Sequence, residues 1–138
     1  MSTLISLNYL HVLVAAVAGF LVGWVWYSAL FGKAWAAEMK ITEEMMKEGK
    51  PKMPLMMAKS FLYTFVSTIG LAMVLAFHPV PTWLKGAEIG AAVGLLIVGA
   101  RYLSRGTWER TSCKLNAINV GHEVVMFAVQ GAILAAWA

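Results

Sequence analysis

Four long apolar runs divide the chain, at residues 10–31, 55–77, 84–103 and 115–137, and polar residues gather between them. Each run has about the 20 residues that a helix needs to cross a hydrocarbon core of roughly 30 Å, whereas a membrane strand needs only about 9–11. Lipid supplies no partners for backbone groups, which favours helices that pair their own. The pattern predicts an all-α, polytopic membrane protein. Its four transmembrane helices are expected to form an antiparallel bundle, a single domain over residues 1–138. Asn8 and His11 mark the start of the first run, and His78, Pro79 and Pro81 stop the second.

Composition sharpens this picture. Hydrophobic residues make up 60% of the chain and charged residues 13%, against about 45–50% and about 25% in a soluble domain. Disorder is excluded, because it requires low hydrophobicity. The net charge of +4 does not point to nucleic acid, since the basic residues form no single stripe and sit beside the runs. One cysteine, Cys113, leaves no internal disulfide. The first run lacks a basic leader and a small-residue cleavage site, so it is read as retained.

The basic residues also set a direction. Lys33, Lys40, Lys47, Lys50, Lys52 and Lys59 lie in or beside the first connection, and Arg101, Arg105, Arg110 and Lys114 lie around the third; only Lys85 lies on the other side. Positive loops stay cytoplasmic, so both termini are expected outside, which in a bacterial inner membrane means the periplasm. Trp24, Trp26, Tyr27 and Trp35 then cluster toward the inner border, and Trp83 and Trp137 mark the outer one. The connection over 34–54 should hold a short cytoplasmic helix, with Thr42 as N-cap, Glu43 and Glu44 at its positive end, an Ile41–Met46 staple, and Gly49 and Pro51 at its close.

Small residues recur at four-residue spacing: Ala15, Gly19 and Gly23; Gly86, Gly90 and Gly94; Ala117 and Gly121; Gly131 and Ala135. Such stripes let helices approach closely in lipid. More stripes are present than four helices need internally, so one is expected at a homo-oligomer interface. Ala15–Gly23 also resembles Ala91–Gly99, a hint of two repeated helical hairpins.

Glu123 most needs an explanation. It lies about nine residues past Lys114, roughly 14 Å along a helix, near the middle of the bilayer. A carboxylate there costs at least about 2.5 kcal/mol unless it is neutralised, paired or wetted. Asn116, Asn119, Glu123 and Gln130 share one helix face, and His122 is adjacent. Ser67 and Thr68 of the second helix lie at similar depth, and Asn8 and His11 extend the polar line outward. One reading is a hydrated path in which Glu123 exchanges a proton with His122. The other is a clamp, with Glu123 bonded to Ser67 or Thr68 while Asn116 and Asn119 bridge helices.

Other chemistries fit less well. Position 126 is Met, so His122-Glu123 does not open a zinc-protease motif. The chain has no Asp and no glycine-rich phosphate loop. The methionines between Met45 and Met57 suit flexible packing better than copper. Neither a metal, a cofactor nor an enzymatic activity is expected.

The run Trp26-Tyr27-Ser28-Ala29-Leu30-Phe31-Gly32-Lys33-Ala34-Trp35, with Asn8-Tyr9-Leu10 before it, Ile41-Thr42-Glu43-Glu44 after it and Ile118-Asn119-Val120-Gly121 later, resembles the family called domain of unknown function 1761. The resemblance implies a small bacterial four-helix membrane protein and no particular activity. In the family pattern an aromatic residue and then a His follow that glycine. Here His122 and Glu123 occupy those places, so an ionisable group at 123 is shared while its type differs. The same resemblance implies that Trp26, Tyr27, Lys33 and Trp35 form an inner-face corner, structural or headgroup-binding. Two functions follow as expectations: a small homo-oligomeric transporter or channel for a proton, ion or small solute, or an accessory or scaffold protein that packs against itself or a larger membrane complex.

Overall fold

A computed structural model describes residues 2–77, 80 and 82–137. The described residues are helical throughout their ordered elements: α1 (Ser2–Ser6), α2 (Tyr9–Val25), α3 (Gly32–Glu38), α4 (Glu43–Gly49), α5 (Met53–Ala76), α6 (Trp83–Val93), α7 (Ala100–Glu109) and α8 (Cys113–Ala136). Two π-helical segments, Trp26–Leu30 and Gly94–Gly99, join α2 to α3 and α6 to α7. Four continuous stretches are long and apolar enough to cross a membrane: Tyr9–Leu30, Glu43–Ala76, Trp83–Glu109 and Cys113–Ala136. They carry apolar side chains on their outsides, among them Leu10, Leu21, Leu62, Val66, Leu96 and Ile97. A soluble monomer rarely exposes large contiguous apolar patches, so this surface suits lipid.

Polar residues at the helix starts explain where the elements begin. The side chain of Asn8 accepts from the Leu10 and His11 amides, Thr42 from Met45, Thr82 from Lys85, and Ser112 from Leu115. Each satisfies an amide that the first helical turn leaves without a partner. Thr42 thus starts α4 as its sequence predicts. α4 closes at Gly49 as expected, and a 3-10 turn over Lys50–Lys52, which contains Pro51, leads directly into α5. Proline tolerates this place because a helix start has no use for its missing N–H. The third span also runs further than its apolar run, to Glu109, and the αL conformation of Arg110 (φ 55°) closes it. The expected stop at His78, Pro79 and Pro81 lies outside the described residues.

Helix α8 is the centre of the molecule and packs against α6, α2 and α5. Its seam with α6 is the tightest. A Cβ at Gly86 would meet the Gly131 carbonyl, one at Gly90 the Phe127 carbonyl, and one at Gly94 the Glu123 carbonyl. Residue numbers fall along α8 as they rise along α6, so the four-residue glycine spacing holds one register over three turns. Gly19 and Gly23 of α2 instead make room for the side chains of Gln130 and His122, and Gly121 for the Trp26 ring. The glycines of these stripes are therefore in contact within one chain, while Ala117 stays exposed. Three of these glycines, Gly19, Gly23 and Gly121, accommodate a large polar or aromatic side chain rather than another small residue.

The apolar core comprises Val12, Ala15, Leu71, Ala72, Leu75, Met126, Phe127 and Leu134. It fills the half of the molecule nearer Asn8 and Trp137. Helix α5 contributes buried residues only from Thr68 onward. Its first half, Met53 to Ser67, has none, and the candidate site opens there.

Candidate functional site: the Glu123 cleft

Glu123 sits at the middle of the 24-residue α8, with a side chain only 13% exposed. It faces a cleft of about 330 Å³. Helix α5 lines one wall with Ser60, Tyr63, Thr64 and Ser67, and α8 supplies His122, Glu123 and Met126. Tyr27, from the π segment after α2, and Tyr102, from α7, complete it. The four α5 positions are spaced 0, 3, 4 and 7, one face of a helix.

Among the described residues the carboxylate has a single hydrogen-bond neighbour, His122, whose Nδ1 lies 3.2 Å from Glu123 Oε1. With the carboxylate ionised Nδ1 donates in that pair, and with it protonated the carboxyl can donate to Nδ1 instead. The other ring nitrogen, Nε2, is buried without a partner among the described residues. It points at Gly23, where a Cβ would stand 3.0 Å away. The Tyr27 ring, with its centroid 5.0 Å from that of His122, and the Trp26 ring, at 6.3 Å, flank the imidazole.

Trp26 and Tyr27 are fixed by α8 itself. The Trp26 indole N–H donates to the Ile118 carbonyl at 3.0 Å, and the Tyr27 hydroxyl donates to Asn119 Oδ1 at 2.8 Å. The expected inner-face corner therefore divides. Trp26 and Tyr27 turn inward, Trp35 stacks edgewise on Tyr27 at 5.8 Å, and only Lys33 remains exposed. Both π segments lie against the turn of α8 that carries the site, with Trp26 on Gly121 and Gly94 and Gly99 against Glu123 and Val120. π segments are rare and recur at functional sites.

The remaining polar residues fall into separate places. The Gln130 amide donates to Thr68 Oγ1 at 2.9 Å, and both residues are fully buried. The hydroxyls of Thr68 and Ser67 both donate to the Thr64 carbonyl, at 2.7 and 2.8 Å. Glu123 thus bonds neither Ser67 nor Thr68, and the clamp expected from the sequence is not formed; intrahelical bonds to Thr64 hold both hydroxyls instead. Asn119 does bridge two spans through Tyr27, whereas Asn116 accepts from Thr111 at the approach to its own helix. Asn8 and His11 line a second cavity of about 220 Å³ with Trp137, Ala76 and Leu134. Asn8 Nδ2 lies 3.3 Å from His11 Nε2, and the His11 ring packs on Trp137 at 4.8 Å.

Between the two cavities lies a closed layer. On α5 the cleft ends at Ser67 and the second cavity begins at Ala72; on α8 the corresponding limits are Met126 and Leu134. Thr68, Leu71, Phe127 and Gln130 fill the interval, all buried. The Gln130 Oε1 there has no partner among the described residues.

Sequence reasoning misses Tyr102, Tyr63 and Ser60. The 0, 3, 4, 7 spacing from Ser60 to Ser67 is a signal for two of them, continuing a polar stripe past Thr64. Tyr102 lies between Arg101 and Arg105, where the basic residues draw attention to orientation instead. Among the described residues, no group of three or more His, Cys, Asp or Glu side chains is placed to hold a metal ion.

A family model described as "Protein of unknown function (DUF1761)" matches residues 10–135. The chain belongs to this family. The matched segment includes every residue of the Glu123 cleft and of the closed layer beside it. No curated protein and no solved structure matches the chain.

Proposed function

We propose that this DUF1761 member is a membrane transporter or channel for a proton, ion or small solute, with its path running along α8 past Glu123. The four spans form an antiparallel bundle with both termini outside and α4 at the cytoplasmic face of the inner membrane. The ten basic residues around the first and third connections support that orientation. The Glu123 cleft then faces the cytoplasmic half, the Asn8–His11 cavity faces the outer half, and the Thr68–Gln130 layer closes the path between them.

One observation carries this reading: a carboxylate at mid-span opens into a polar cleft instead of being bonded into the packing. An intramembrane ionisable group facing a cavity is a functional-site candidate by default. The glycine seams lie within one chain, and the proposed path runs along α8 of that chain.

Reconstitution tests it. In liposomes loaded with a pH-sensitive dye, the wild-type chain is expected to pass protons or a proton-coupled solute above the rate of empty liposomes. Glu123→Gln should lower that flux by about tenfold or more, a barrier change of at least about 1.4 kcal/mol, with its melting temperature unchanged. No flux from the wild type, or a Glu123→Gln variant that loses only stability, defeats the proposal in favour of an accessory or scaffold role.

A further inference from the structure

We propose that the Glu123 cleft binds a singly charged organic cation of the ammonium class. This rests on the transport reading and gives its path a substrate class. Among the described residues no lysine or arginine lines the cleft, and Glu123 is its one acidic group. His122 also lines the cleft and meets that carboxylate at 3.2 Å. A neutral occupant therefore leaves Glu123, with a side chain only 13% exposed, the His122 ring as its one partner among the described residues. A cation adds the opposite charge that a buried carboxylate favours.

Two of the hydroxyls around the carboxylate have the same polarity. Ser67 gives its hydrogen to the Thr64 carbonyl and Tyr27 gives its hydrogen to Asn119. Both oxygens therefore offer the cleft lone pairs, which suit a cation. Three tyrosines, Tyr27, Tyr63 and Tyr102, are among the lining residues. Rings attract ammonium groups through their quadrupoles, and aromatic enclosures recognise quaternary ammonium. Met126 adds a polarizable apolar contact for alkyl substituents.

Size and charge distinguish this class from metal ions. A volume of about 330 Å³ equals about ten water molecules at ~30 Å³ each, far more than a bare alkali ion fills. Divalent ions demand several hard anionic oxygens, and the cleft offers one carboxylate.

The probe is radiolabelled tetraethylammonium, measured by equilibrium dialysis against the full chain in lipid nanodiscs, with no gradient applied. Saturable binding by the wild type is expected, displaced by unlabelled probe and unaffected by sodium at the same concentration. Glu123→Gln should weaken it by at least about tenfold. Tyr102→Leu should weaken it by about two- to thirtyfold, while Tyr102→Phe, which keeps the ring, stays within about twofold. The tyrosine pair reads the site even where Glu123→Gln fails to fold. Absence of saturable binding, equal affinity in a folded Glu123→Gln, equal affinity in Tyr102→Leu, or displacement by sodium overturns the assignment. Proton flux without tetraethylammonium binding defeats the cation site and leaves the transport reading; binding without flux does the reverse.

Discussion

Gly19 of α2 and Gln130 of α8 are shaped to each other: a methyl group at position 19 would occupy the space of the Gln130 side-chain amide. The amide in turn reaches Thr68 on α5, so three spans meet through one glycine, one amide and one hydroxyl. Gly19→Ala is expected to destabilise the protein by about 1–3 kcal/mol, the usual cost of overpacking. Thermal melting of the purified protein checks this. Combining Gly19→Ala with Gln130→Ala should recover part of the loss, because the two side chains no longer compete for one volume.

The two partners of the Thr68–Gln130 bond are expected to respond differently to removal. Thr68→Val leaves the buried Gln130 amide without an acceptor, costing about 1–3 kcal/mol. Gln130→Leu removes both the donor and the orphan Oε1 at similar volume, so its melting temperature should match or exceed that of the wild type. Equal losses in both variants would contradict the described geometry.

Glycines on the outside and inside of the helices separate cleanly. A Cβ at Gly90 would overlap the Phe127 backbone, which has no flexible end to move, whereas nothing lies within 4 Å of one at Gly70. Gly90→Ala should therefore abolish or severely reduce folded protein. Gly70→Ala should be neutral or stabilise by up to about 1 kcal/mol through helix propensity. Size-exclusion yield and melting of the two variants provide the comparison.

Tyr27→Phe deletes one bond between the first and fourth spans while keeping the ring beside His122. A loss of about 0.5–1.5 kcal/mol is expected, the net value of an ordinary hydrogen bond. Asn119→Ala should give a similar loss, and the double variant little more than either alone. Additive losses would show that Tyr27 and Asn119 do not act through each other.

The span positions are legible in the sequence because lipid imposes a length and a polarity on every crossing helix, and α2, α5 and α8 keep within a few residues of their apolar runs. The third span is longer than its run. Its last turns pair Arg105 with Glu109 at 2.5 Å, and such i, i+4 ion pairs prolong a helix without adding hydropathy. Glu123 is legible as a candidate from depth alone. Its surroundings are not, since helix periodicity gives the face of each helix but not which faces meet. Trp26 and Tyr27 look like interfacial anchors by residue type, and only the π segment that rotates them toward Ile118 and Asn119 reveals otherwise. The glycine stripes mislead for a related reason: spacing identifies a close approach without naming the group that approaches.

The contrast between the two neighbours of α8 has a mechanical consequence. Where α6 meets it, main chains touch with no side chain between them, and sliding one past the other would force carbonyls into glycine Cα atoms. Where α5 meets it, the inner half has no buried residue, and the outer half is held by Leu71, Ala72 and Leu75 in the shared core and by the Thr68–Gln130 bond. The hold on the second span is thus uneven, loose along the cleft and firm from Thr68 outward.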